Sequence, residues 1–255
     1  MPAKYHASHR SPLIMNIGHI FSLILVYPLL NLLIFFYHYI PDIGVVIILL
    51  TVIVRIILLP VFQKQLKSQK AMTELQPKLN ELKEKYKGDK EAESRAMLEF
   101  YKTHKINPLA SCLPLLIQLP ILISLSLVFI RSLNGSNLAG LYKFIPKPTN
   151  GINPYFLHFI NLAHSNIWLL LIAGASQYLL SRLMLPKNPS SDPTVKMMTY
   201  QTLYFLPVLT IILGLRFPAG VVLYWIITTL FGIVQQYYLL SKEKEVIKEV
   251  IDASK

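Results

Sequence analysis

Cysteine is almost missing from this chain, and acid is confined to particular stretches. The only cysteine is Cys112, so no internal disulfide can staple the fold, and no cysteine–histidine pattern offers a metal site. The thirteen acidic residues divide into seven within 63–107, four within 241–255, and the isolated Asp42 and Asp192. None falls inside a long apolar run. Proton pumps and cation carriers usually place a carboxylate within the membrane, so that class is disfavoured. The sequence holds no phosphate-cradling glycine loop and no nucleophile motif. The expectation is a protein that is not an enzyme and needs no cofactor or metal.

What is plentiful is apolar. Hydrophobic residues make up 53% of the 255, arranged in blocks long enough to cross a bilayer, which takes about 20 residues per helix. Alternating segments of the kind that build a transmembrane barrel are not present. The expected fold class is an all-α polytopic membrane protein. Five spans are read at 43–62, 108–130, 166–185, 197–215 and 219–240. The earlier stretch Ile17–Ile40 is interrupted by Pro28 and Asn31. It reads as a sixth span, an uncleaved signal anchor or an interfacial helix.

Charge then orients the spans. The net charge is +12, and segment 63–107 alone carries eleven Lys/Arg. Lys187 and Lys196 with Arg182, and four lysines in 241–255, mark two further basic loops. By the positive-inside rule these three segments face the cytoplasm. Lys4 and Arg10 pull the N-terminus to the same side, which suits a spanning Ile17–Ile40. Leu66, Leu75, Leu79, Leu82 and Tyr86 recur at helical spacing, Lys87-Gly88-Asp89 makes a turn, and Ala92, Ala96, Phe100 and Tyr101 continue beyond it. Segment 63–107 therefore reads as a projecting helical hairpin, with a kink expected at Pro77. The expected organisation is an N-terminal segment 1–41, a first core helix 42–62, the hairpin 63–107, core helices in 108–240 and a charged tail 241–255.

One cation sits where it is expensive. Arg55 lies within "ILLTVIVRIILLPVF", residues 48–62, and an arginine at mid-membrane costs roughly 2.5–3.5 kcal/mol even on lenient scales. One reading is snorkelling, since Gln63 and Lys64 lie ~12 Å further along the helix. The other is a hydrated cavity that receives an anion, because no carboxylate is placed in a span to neutralise the charge. Thr51 shares the face of Arg55 one turn away. In 108–130, Ser111, Pro114 and Gln118 share a face, and Pro108, Pro114 and Pro120 recur. Gln177 and Ser181 pair at i, i+4, as do Tyr224 and Thr228, with Trp225 adjacent. Taken singly, Gln177 and Thr228 read as ordinary interhelical hydrogen-bonding residues.

Four segments carry a family resemblance: "TVIVRIILLP", "LQPKLNELKEKYKGDK", "NPLASCLPLLIQLPI" and "FPAGVVLYWIITTLFGIVQQ", in this order. Together they resemble the YidC/Oxa/Alb group of membrane protein insertases. Thr228-Thr229 stand where members often have Ser-Asn, the large periplasmic domain of some Gram-negative members has no counterpart, and the tail is short. The resemblance implies five core helices around a hydrophilic groove open to the cytoplasm, with the hairpin on that side. It maps the group's positive charge onto Arg55 and groove or substrate contacts onto Thr51 and Trp225. Gln118 matches its motif, and Gln177 is added from its span. It further implies nascent membrane proteins and the lipid bilayer as partners, the ribosome and the Sec translocon as further ones, a monomer as working unit, and the bacterial inner membrane as location. A small-molecule anion transporter using Arg55 is the alternative, and no inverted repeat supports it.

Overall fold

The computed structural model describes residues 18–103, 113–133, 138, 140–149, 151–185, 197 and 200–253. Pro108, Ser111, Cys112, Lys187, Asp192 and Lys196 lie outside the described residues, as do the side chains of Leu66 and Pro114 and those beyond Ser241. Among the described residues the chain forms eight helices and one small two-stranded hairpin. They are α1 (Gly18–Tyr39), α2 (Ile43–Ile57), α3 (Leu59–Lys85), α4 (Lys90–Thr103), α5 (Leu113–Leu133), β1 (Tyr155–Phe156), β2 (Ile160–Asn161), α6 (Ile167–Met184), α7 (Gln201–Gly214) and α8 (Ala219–Ala253). This is an all-α membrane architecture. By length and apolarity α1, α6 and the Ala219–Tyr238 part of α8 are each able to cross a bilayer, while α2, α7 and the Leu116–Ser132 part of α5 are shorter apolar helices.

Local chemistry sets the helix ends. Asp42 caps α2 by accepting from the N–H groups of Gly44 (2.9 Å) and Val45 (3.2 Å). Asn166 caps α6 in the same way through Trp168 and Leu169. Each cap satisfies donors that a helix start leaves orphaned. α2 stops at Ile57 rather than running to 62, because Pro60 cannot donate to the carbonyl one turn back. The chain restarts at once as α3, with Pro60 in its first turn. α3 then runs unbroken past Pro77 to Lys85, so that proline does not end it. The turn to α4 uses Gly88 at φ +104°, a conformation that a Cβ resists. Asp89 caps α4 by accepting from Glu91 and Ala92.

The core forms where α8 packs along α6 and α2, α6 along α7, and α1 along α2 and α5. Leu30, Leu33, Ile34, Ile47, Leu50, Phe129 and Leu170 are fully buried there. Outside this core the surface is apolar as well: Ile24 and Phe35 on α1, Ile172 on α6, and Val208 and Ile212 on α7 are exposed. In water such faces would mark interaction sites. On helices of this length they are the faces that meet lipid.

One end of the bundle is closed by the stretch between α5 and α6. Leu162 from this stretch is fully buried, and the carbonyls of His164 and Leu162 accept from Ala219 (2.9 Å) and Gly220 (3.1 Å), the first N–H groups of α8. α1 runs beside the same stretch. Asn31 donates to Gly140 O (2.8 Å) and accepts from Tyr142 N–H (2.7 Å), and the Tyr37 hydroxyl accepts from Asn153 N–H (2.8 Å). Tyr27 packs its ring against Gly140. From Tyr27 to Tyr37 is about 15 Å of helix, so α1 follows this end of the bundle rather than touching it at one point.

Candidate functional site

Arg55 is half-buried in the last turn of α2. Its Nη2 donates to Gln118 Oε1 of α5 at 3.4 Å. The other end of that amide, Nε2, donates to the Tyr224 hydroxyl of α8 at 2.7 Å. Three helices are thus joined by one polar relay. The guanidinium carbon also stands 4.3 Å from the centre of the Phe62 ring. The break at Pro60 brings that buried ring back over Arg55, where the π-face attracts the cation.

The relay leaves most of the guanidinium unused. Arginine offers five N–H donors, and among the described residues Gln118 is the only hydrogen-bond partner of Arg55. The ion pair among them, Arg95 with Glu91, is exposed on α4. A half-buried cation held by one long hydrogen bond and a ring is poised to take a further acceptor.

The remaining expected residues divide. Thr51 is buried, and its hydroxyl donates to Ile47 O of its own helix at 2.6 Å, so that proton is committed within α2. Thr228 is buried one turn beyond Tyr224. It lies near enough for its hydroxyl to interact with the phenol, yet its Oγ1 makes no well-formed hydrogen bond among the described residues. Trp225 is half-buried, and its carbonyl accepts from the Thr229 hydroxyl. Gln177 is half-buried on α6, and no hydrogen bond among the described residues joins it to Arg55, Gln118 or Tyr224.

Two residues were not anticipated. Phe62 has no local signal, because an aromatic ring in an apolar run is ordinary. The sequence marks it only by its spacing of seven from Arg55 across Pro60. Gln235 is buried with Nε2 unpartnered among the described residues. At 3.6 residues per turn, Tyr224, Thr228 and Gln235 lie within about 40° of one another on α8. They form one polar stripe along α8.

Comparison with known proteins agrees along most of the chain. The profile of the 60Kd inner membrane protein family matches residues 35–246. A membrane protein insertase YidC of Geobacter sulfurreducens is 35% identical over 215 residues, covering 83% of this chain and 36% of that protein. One of Magnetococcus marinus is 36% identical over 216 residues, covering 84% and 35%. One of Fusobacterium nucleatum is 34% identical over 204 residues, covering 80% of this chain and 89% of that protein. This chain therefore spans little more than a third of the first two relatives and most of the third. A crystal structure of an active YidC insertase with its first transmembrane domain resolved is similar with a TM-score of 0.58 and 26% identity. The match covers 89% of this chain and 50% of that one.

Proposed function

The chain belongs to the 60Kd inner membrane protein family, and from that premise we propose that it is a membrane protein insertase. It receives nascent membrane proteins at the end of the bundle bearing the α3–α4 hairpin and passes their helices into lipid. The observation that carries this reading is Arg55, half-buried and bound to the Gln118–Tyr224 relay through one long hydrogen bond, its only one among the described residues. Relatives named as insertases support it. They give the anion-transporter alternative no support.

On this reading the hairpin and the tail face the cytoplasm, as their lysines favour, and the stretch between α5 and α6 closes the opposite side. The run of α1 beside that stretch favours a place against the outer leaflet over a perpendicular crossing. A polar, acidic N-terminal tail of the substrate enters from the cytoplasm. Arg55 holds it transiently, with Gln118 and the stripe Tyr224, Thr228 and Gln235 offering hydrogen bonds. Each satisfied polar group lowers the penalty for taking the tail through an apolar region. The membrane potential drives an acidic tail outward by about 2.3 kcal/mol per charge per 100 mV. No bond is made or broken. The ribosome and the Sec translocon are partners at the cytoplasmic face, and a single copy suffices.

The test uses purified protein in proteoliposomes and a single-span substrate with an acidic N-terminal tail. The readout is protection of the tail from external protease. Protection that needs the protein and falls in Arg55→Ala is the expected result. Equal protection in empty liposomes would remove the insertase reading. Full activity of Arg55→Ala would return Arg55 to a snorkelling role.

A further inference from the structure

The stretch between α5 and α6 carries no acidic residue from Arg131 to Ser165, while it holds Lys143, Lys147, His158 and His164. It also pushes two apolar tips outward. The first is Tyr142-Lys143-Phe144, whose two rings lie 5.5 Å apart and whose Phe144 is 79% exposed. The second is Leu157-His158-Phe159, the connection between β1 and β2, with Phe159 86% exposed.

Neither tip is a loose end. At the first, Ile145 is buried directly behind Phe144, and Tyr142 N–H is tied to Asn31. At the second, Leu157 N–H donates to Asp42 Oδ2 at 2.8 Å, and Phe159 N–H donates to Phe156 O at 3.0 Å. The Phe156 ring fills the notch left by Gly44, where a Cβ would collide with it. Leu157 and His158 both take positive φ, +48° and +66°, a conformation costing roughly 1–2 kcal/mol for each such residue. Strain and hydrogen bonds thus hold a leucine and a phenylalanine away from the core. In water that arrangement would gain nothing.

We infer that the two tips form an interfacial anchor, with Phe144, Leu157 and Phe159 seated among the lipid headgroups of the leaflet on this side and Lys143 and Lys147 facing lipid phosphates. Three observations favour lipid as occupant. Tyr39 and Trp168, exposed at the ends of α1 and α6 on the same side of the bundle, mark the level at which amphipathic rings meet a bilayer surface. Phe35 on α1 and Ile167 on α6, near the same ends of these helices, are exposed as well. The stretch is cationic without a single carboxylate, which suits anionic headgroups. The anchor would hold the closed end at a fixed depth, and with it the position of Arg55 relative to the bilayer. The inference goes beyond the insertase reading and needs only that the chain is embedded in a membrane.

The experiment places single tryptophans in the full chain carrying Trp168→Phe and Trp225→Phe. Phe144→Trp and Phe159→Trp report on the two tips, and Ile172→Trp on the lipid-facing side of α6. Each protein is reconstituted in phosphatidylcholine vesicles with or without phosphatidylglycerol, with bromine near the carbonyl end or near the methyl end of the acyl chains. The expected result is blue-shifted emission from both tips, quenched more by shallow bromine than by deep. In Lys143→Gln/Lys147→Gln that shallow quenching falls in vesicles containing phosphatidylglycerol and is unchanged without it. Red-shifted tip emission quenched by aqueous iodide but not by bromine would overturn the anchor, provided Ile172→Trp is quenched by bromine. Blue-shifted tip emission that no bromolipid quenches would overturn it too, because protein would then cover the tips. Lysine substitutions without effect would remove the phosphate contact. Should one tip variant fail to fold, the other tip and the native Trp168 still decide the matter.

Discussion

The side-chain amide of Gln118 spans the gap between Tyr224 and Arg55, donating to the phenol at 2.7 Å and accepting from the guanidinium at 3.4 Å. One neutral side chain therefore joins a buried hydroxyl to a half-buried cation. Gln118→Leu removes the amide hydrogen bond of both. A buried group stripped of its hydrogen bond costs about 1–3 kcal/mol, so unfolding temperature in detergent should fall along with insertion. Gln118→Glu behaves differently. Its carboxylate pairs with Arg55 and occupies the donors meant for the substrate. Insertion of acidic tails should fall while thermal stability holds. Equal insertion by Gln118→Glu and wild type would show that Arg55 does not receive the tail.

Phe62→Leu keeps an apolar side chain of similar size and removes the π-face under Arg55. The interaction is worth about 0.5–2 kcal/mol. A several-fold loss of insertion is expected for acidic tails and none for uncharged ones, measured side by side in the protease-protection assay. A uniform loss for both would point to packing instead.

The Thr228 hydroxyl, beside the Tyr224 phenol, makes no well-formed hydrogen bond among the described residues, and Gln235 Nε2 has no partner among them. Such atoms work against stability and are tolerated when function needs them. Thr228→Val should raise the unfolding free energy by about 1 kcal/mol, and Gln235→Leu should act in the same direction. Both should insert polar tails more slowly. A stabilised variant with unchanged insertion would take the stripe out of the substrate path.

Gly44→Ala tests the closed end. The added Cβ runs into the Phe156 ring, and forcing volume into a packed contact costs typically about 1–3 kcal/mol. Phe156→Ala should be less harmful in the Gly44→Ala background than in wild type, a coupling that a double-mutant cycle reads directly. Additive losses would mean that the ring does not sit in the notch.

Much of this was legible in the linear order of residues. Long apolar blocks imply membrane helices, because only intrahelical bonding satisfies the backbone in lipid. A cation with no carboxylate in any span leaves two readings, snorkelling or an anion received from outside. Arg55, Gln118 and Tyr224 could each be picked out as polar residues on apolar helices. Their joining could not, since α2, α5 and α8 are far apart in sequence and contact depends on how the helices turn and tilt. The same packing left Gln177 apart from the relay and spent the Thr51 hydroxyl on its own helix.

The closed end shows the division most clearly. In the sequence Asp42 reads only as an isolated acid before the first core span, and Asn31 as an interruption. Their second tasks, holding Leu157 and Gly140 more than a hundred residues away, have no periodicity or motif to announce them. Hydropathy, charge bias and helix ends follow from neighbours along the chain, so the sequence determines them unaided. Which buried donor meets which distant acceptor follows from three-dimensional packing, where every backbone group kept from water must find a partner. That was decided by the tertiary structure alone.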